Sequence, residues 1–240
     1  MGRHWQNIKM GKGKADAQRS AKFTILGRAI TMAAKEKGGD PAMNNKLRLC
    51  IDKAKEAFMP KENIERAIKK GTGELEAEAI EELVYEGYGP GGAAILAESI
   101  TDNRNRTVGN IKNAFSKNGG NMGASNSVAW MFEHKGAIRI AADTLGGKDL
   151  DEVELQLVDL GADDVRRSQG GLEALTSPEN FAKTKEAIEK AGFAVADAEI
   201  EYMAKDPVVF DPEKHAGLED LIEMMEGDED VKAVHTNVQL

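Results

Sequence analysis

Apolar positions recur every three or four residues in three early segments of the chain. Phe23, Leu26, Ile30, Ala33 and Ala34 form the first stripe. Leu47, Cys50, Ile51, Ala54 and Phe58 form the second, and Ile64, Ala67 and Ile68 the third. That period marks amphipathic helices. Gly38-Gly39-Asp40-Pro41 separates the first two. Pro60 falls in the first turn of the third, and Gly71 stops it. The pattern predicts a small helical domain. Ahead of it, Lys9, Lys12, Lys14 and Arg19 alternate with Gly11 and Gly13, so residues 1–20 are expected to form a mobile basic arm anchored by Trp5 and Ile8. Residues 72–79 read as an acidic linker.

Beyond residue 80 the pattern becomes mixed. Residues 83–85 and 93–100 read as strands around a Gly-rich turn. A helix follows, with Asp102 as its expected N-cap, Val108, Ile111 and Phe115 as its buried stripe, and Gly119 as its stop. Residues 127–133 and 136–140 read as a strand pair around Lys135-Gly136. Then come a helix at 149–160, strands near 163–168 and 172–176, a helix opened by Pro178, and a strand at 193–203. An acidic helix at 213–226 and a strand at 231–239 complete the order. The predicted class is α+β: an N-terminal helical domain followed by two α/β domains, the second ferredoxin-like and interrupted by insertion of the third. The expected boundaries are 1–79 for arm and helices, 80–142 with 207–240 for the ferredoxin-like domain, and 143–206 for the insert.

Charge sharpens this picture. Residues 1–72 carry 17 Lys/Arg against 7 Asp/Glu, a net of +10, whereas residues 73–240 carry a net of −19. The Debye length is about 8 Å at physiological salt, so a basic module acts locally even in a chain of net charge −9. Such a sign asymmetry points to a nucleic-acid partner. The single Cys50 excludes an internal disulfide and any Cys-rich zinc module. No signal-peptide pattern is visible, Gln6 breaks a myristoylation motif, and no run reaches the roughly 18 apolar residues of a membrane span. A soluble, cytoplasmic protein without membrane partner is expected.

Several segments together resemble the YebC/PmpR family: NKLRLCIDKAKEAFMPKENIERAIKKGTGE (45–74), YEGYGPGG (85–92), ITDNRNRT (100–107), AFSKNGGNMG (114–123) and SVAWMFEHKG (127–136). The resemblance runs over essentially the whole chain. It implies a three-domain protein, a helical domain plus two α/β domains, acting as a DNA-binding transcriptional regulator. Some relatives look instead like translation factors acting on the ribosome. The start departs from the family pattern: Gly2-Arg3-His4-Trp5-Gln6-Asn7-Ile8-Lys9 keeps the Trp and the Ile-Lys but has a shorter basic run.

The candidate nucleic-acid contacts are Arg3, Trp5, Lys9, Lys12, Lys14 and Arg19 of the arm, Arg28, Lys35, Lys46, Lys53 and Lys55 of the helices, and Arg104 with Arg106. The last two occupy the first turn of a helix, where cations are unfavourable by about 0.3–1 kcal/mol each unless an anion arrives. The alternative is that one of them pairs with Asp102 or Glu98. Trp130 and Phe132 alternate like base-stacking residues but fit a core role better. The four histidines show no ligand spacing, and the glycines at 119, 120 and 123 lack the lysine of a phosphate loop. No metal, cofactor or catalytic motif is expected, and the reading is a non-enzymatic regulator. Its partner is DNA, or ribosomal or transfer RNA in a ribosome-associated translation factor. A third reading is a scaffold that meets protein partners through the acidic helices.

Overall fold

The computed structural model describes residues 12–76, 78–147, 149–168 and 170–239, with side chains from Arg19 onward except that of Ser168. Helix α1 spans Lys12–Lys37. It therefore takes in residues 12–20, which the sequence reading gave to the mobile arm. Adding residues to a standing helix carries no nucleation cost, and Ala15, Ala17 and Gln18 are good helix formers, so propagation overcomes Gly13. Gly38, at φ +88°, ends α1. Helix α2 (Asn45–Glu56) starts at Asn44, whose side-chain oxygen accepts from Leu47 N–H. The amide of the same buried side chain donates to Ala33 O at 2.7 Å and Gly38 O at 2.9 Å. One asparagine thus caps α2 and fixes the end of α1. Helix α3 (Lys61–Thr72) runs from Pro60 to Gly73, which caps it at φ +83°.

Ile30, Ala33, Leu47, Ile51, Ala54, Met59 and Ile64 are among the residues that form the core of this region. The second stripe loses its last member. Helix α2 ends before Phe58, which turns left-handed at φ +59° and is 88% exposed, while Met59 takes the inward place at 6%. A periodicity argument holds only while the helix continues. The α1–α3 contact is closest at Gly71, where a Cβ would stand 2.4 Å from Thr31 O and 2.6 Å from Ala34 Cβ. The Thr31 hydroxyl also lies 3.0 Å from Ala67 O.

The chain forms two compact units. The first comprises the described residues up to Ala129 together with Phe210–Thr236. It contains α1–α3 and a sheet of strands β1 (Glu81–Tyr88), β2 (Ala94–Thr101), β3 (Asn121–Met122) and β9 (Val231–Thr236) in the order β3-β1-β2-β9. All its pairings are antiparallel. Helices α4 (Arg104–Lys117) and α7 (Leu218–Glu226) cover one face, with Phe115 lying where Gly87 leaves room and Leu218 and Leu221 against Gly89. Helix α1 runs against β2 and β9, so the 72–79 segment joins parts of one unit.

The second unit is Trp130–Val209 with Asn237 onward. Its order is β4 (Phe132–Ala141), α5 (Leu150–Asp159), β5 (Asp164–Ser168), β6 (Gly171–Thr176), α6 (Phe181–Lys190), β7 (Val195–Ala204). The strands lie β5-β6-β4-β7, all antiparallel. This continuous βαββαβ run has the split βαβ layout that the sequence reading had assembled from the flanking pieces. A parallel pair of β8 (Val208–Val209) and β10 (Val238–Gln239) completes the unit. The expected turn at Lys135-Gly136 is instead the middle of β4. Gly136 is there because a Cβ would sit 2.5 Å from the Phe181 ring and 2.8 Å from Thr176 Cγ2, a close approach of α6 to the sheet. On the other face Arg139, 4% exposed in its side chain, is held among Glu173, Asp197 and Glu201.

Gly71→Ala should destabilise the first unit by about 1–3 kcal/mol, since the added methyl meets backbone that cannot move aside. Gly27→Ala, with nothing within 4 Å of its Cβ position in the same helix pair, should be neutral or stabilising by up to about 1 kcal/mol. Urea unfolding of the two variants checks the contrast, and equal midpoints would contradict the close-contact account.

Candidate nucleic-acid interface

The helix that begins at Arg104 follows directly from β2, and its N-cap is Asn103, whose side chain accepts from Arg106 N–H. Asp102, the expected cap, is drawn into ion pairs. Its two oxygens accept from Arg28 Nη2 at 3.1 Å and Arg106 Nη2 at 2.9 Å. The centre of the arrangement is Asp230, at the turn before β9, with no exposed side-chain surface. Oδ1 accepts from Arg28 Nη1 (2.8 Å) and Arg106 Nη2 (2.7 Å), and Oδ2 from Arg106 Nε (3.0 Å) and Thr107 Oγ1 (2.9 Å). Arg28 Nη1 also reaches Ile100 O and Glu229 O.

The anion expected at the start of α4 is therefore the chain's own. Asp230 supplies the carboxylate that Arg106 and the Thr107 hydroxyl of the first turn of α4 meet. Burial alone would raise the Asp230 carboxyl. Hydrogen bonds from Arg106 and Thr107 and the nearby guanidinium charges outweigh it and hold the group below its ordinary value. Asp102 is held down in the same sense, with burial opposed first by a hydrogen bond with Glu78 and then by Arg28 and Arg106. The Arg106 guanidinium is correspondingly stabilised in its charged form, first by its hydrogen bond to Asp230. Elsewhere on the sheet, burial of Glu98 is overcome by His235 and Lys232, which bring its carboxyl down to about 2.

The sequence candidates therefore part company. Arg28 and Arg106 are committed to the fold. Arg104, two residues from Arg106, is exposed and makes no hydrogen bond or ion pair among the described residues. Arg19 and Lys35 are likewise exposed on α1. Lys46 pairs with Glu36 at 2.8 Å and Lys55 with Asp52 at 3.5 Å, both on open surface, and Lys53 is half-buried. Exposed pairs of this kind are worth about 0–1 kcal/mol and give way readily to another anion. Arg3, Trp5 and Lys9 lie outside the described residues, as do the side chains of Lys12 and Lys14. The candidate list passed over exposed Lys22, Arg48, Lys69 and Lys70. Their signal was present, since Arg48 shares a helix flank with Lys55 and Lys69-Lys70 end α3. Phe132 is core at 4% exposure, whereas Trp130 stands 66% exposed on the turn before β4. Among the described residues no group of three or more His, Cys, Asp or Glu is placed to hold a metal. No described helix is long and apolar enough to cross a membrane.

Comparison with known proteins now becomes informative. Residues 3–74 match the N-terminal domain of the TACO1/YebC proteins, and residues 80–238 match their second and third domains. The chain belongs to the TACO1/YebC family. It is 46% identical over 237 residues to a probable transcriptional regulatory protein of Caldanaerobacter subterraneus subsp. tengcongensis, covering 98% of this chain and 96% of that one. A protein of the same description from Geobacter sulfurreducens is 46% identical over 236 residues, covering 98% and 94%. The crystal structure of a conserved hypothetical protein from Aquifex aeolicus superposes with a TM-score of 0.84 at 40% identity, covering 98% of this chain and 96% of that one. The α+β class, with a helical N-terminal region followed by antiparallel sheets, is thus that of a solved relative. The relatives' description is regulatory and names no catalytic activity.

Asp230→Asn should cost about 3 kcal/mol of stability, because it leaves two guanidiniums short of a buried counter-charge. Since the carboxyls of Asp102, Asp230 and Glu98 are depressed in the folded state, their contribution is complete above the ordinary carboxylate range of about 4 and is lost as pH falls below it. Chemical unfolding at stepped pH should show stability declining from about pH 4 toward pH 2, with a shallower decline in Asp230→Asn. An unchanged slope in that variant would remove Asp230 from the account.

Proposed function

We propose that the protein is a non-enzymatic, nucleic-acid-binding regulator of gene expression in the cytoplasm, and that its helical region grips the sugar-phosphate chain. The observation that carries this is the set of exposed cations left once the internal ion pairs are assigned. Arg19, Lys22, Lys35 and Arg48 on α1 and α2, and Arg104 at the start of α4, face solvent with no partner among the described residues. These five are part of a larger set in the same unit, which also includes exposed Lys69 and Lys70. Lys46 and Lys55 add to them once their surface carboxylates are displaced. The arm residues Arg3, Trp5, Lys9, Lys12 and Lys14 extend the same basic stretch of sequence. The description shared by the relatives, probable transcriptional regulatory protein, supports DNA as the template. A second reading, an RNA-binding factor working at the ribosome, is favoured by the exposed aromatic ring of Phe58 just past the end of α2.

Charge reversal at Arg19, Lys35 and Arg104 together should weaken binding and flatten its salt dependence. Each lost phosphate contact removes about 0.9 from the log–log slope on duplex DNA and about 0.7 on a single strand. Reversal at Arg166, in the acidic second unit, should leave both unchanged. Mobility-shift titrations over a salt series make the measurement, and a triple variant with the wild-type slope would sink the proposal. Cross-linking in cells then assigns the template, by recovery of promoter DNA or of ribosomal or transfer RNA.

A further inference from the structure

Helices α1, α2 and α3 are each followed by a residue in the left-handed region, and at two of the three that residue is glycine. Gly38 follows α1 at φ +88°, and Gly73 follows α3 at φ +83°. After α2 the position is held by Phe58 at φ +59°. Glycine occupies such a position without steric cost, whereas a side chain with a Cβ strains the backbone. Burial does not repay the strain here, since Phe58 is 88% exposed and Met59 fills the core beneath it. The turn is otherwise well made, with Phe58 N–H donating to Lys55 O and Met59 N–H to Ala54 O, both at 2.9 Å. A local rule broken without gain in packing marks a residue kept for what it meets outside the chain.

The surroundings say what that is. Phe58 stands just past the end of α2, three residues from Lys55, and Lys61 follows it on the other side of the turn at 89% side-chain exposure. Helix α2 holds Lys46, Arg48, Lys53 and Lys55 against Asp52 and Glu56. The ring's sequence neighbours Lys55, Glu56, Pro60 and Lys61 are all exposed, and Asp52 and Glu65 pair with Lys55 and Lys61, each at 3.5 Å. Local charge therefore supplies little pull at the tip, and an apolar protein surface would find one ring among polar groups. A flat aromatic face beside lysines held only by exposed ion pairs suits a nucleobase, which stacks on the ring while the flanking cations exchange their carboxylates for its phosphates. A paired base hides its face in the duplex stack.

We propose that Phe58 is a base-stacking residue and that the α2–α3 turn receives an unpaired base of single-stranded nucleic acid. This rests on the nucleic-acid reading above and narrows it to a strand with exposed bases. The test uses the full chain and a fluorescently labelled, unstructured RNA of about 12 nucleotides, alone and annealed to its complement. Phe58→Asn and Phe58→Gly should weaken single-strand binding about tenfold or more and leave duplex binding within about twofold. Thermal denaturation should show neither variant less stable than wild type, because both relieve the left-handed strain. Phe58→Trp should retain single-strand affinity and have its added fluorescence quenched by the single strand. Wild-type single-strand affinity in Phe58→Asn would overturn the inference, as would an equal loss on the duplex or a lowered melting temperature. If the wild type binds neither form, the nucleic-acid reading itself fails, and this inference with it.

Discussion

One buried carboxylate organises the first unit. Asp230 has no solvent to share its charge, so every contact it makes must come from protein. Four side-chain hydrogen bonds do this, from residues 28, 106 and 107. These positions lie more than a hundred residues from Asp230 in sequence, so the chain must close into its final arrangement before the charge is compensated. A buried ion pair contributes less to stability than its distances suggest, because desolvation takes back most of the Coulomb energy. What it does enforce is uniqueness: an arrangement that misplaces α1 or the start of α4 leaves a charge stranded in the interior. The helical region is thereby fixed against the sheet.

The same cluster decides which arginines remain for other work. A guanidinium held by a buried carboxylate is not released to an incoming phosphate, since release would strand the partner. An exposed lysine beside an exposed glutamate exchanges partners at almost no cost. Burial of the partner, more than proximity of opposite charge, therefore separates structural cations from available ones. Arg104 and Arg106 illustrate it within one helical turn: equal in sequence terms, they differ because only Arg106 reaches Asp230.

What the sequence disclosed follows the range of the interactions involved. The α+β class, the helical region and the inward positions Leu47, Ile51 and Ala54 were legible, because spacing along a helix is a local property. The exchange of Phe58 for Met59 was not, since the stripe predicts inwardness only up to the residue where the helix stops. Gly136 read as a turn because its reason for being glycine, the ring of Phe181, lies 45 residues away and touches it only in the folded chain. The pairing of Arg28 and Arg106 with Asp230 had no local signature either. Asp102 was visible as a competitor for Arg106, but nothing near position 230 marked one aspartate among its acidic neighbours as the buried one. The arm's glycines misled in the opposite sense, by weighting propensity above the helix already standing beside them.

The division of charge between the units gives the proposed interface its limits. Residues 130–209 carry 17 Asp/Glu against 9 Lys/Arg. A polyanion gripped by the cations of the helical region is repelled by this second unit wherever the two come within about a Debye length. Uniformly basic proteins bind any nucleic acid along any surface. On the proposed reading, a chain that carries an attractive unit and a repulsive one discriminates against nucleic acid that meets the second. Selectivity of that kind needs no base-reading helix. In the proposed account the aromatic ring at position 58 supplies the contact that depends on a base being unpaired.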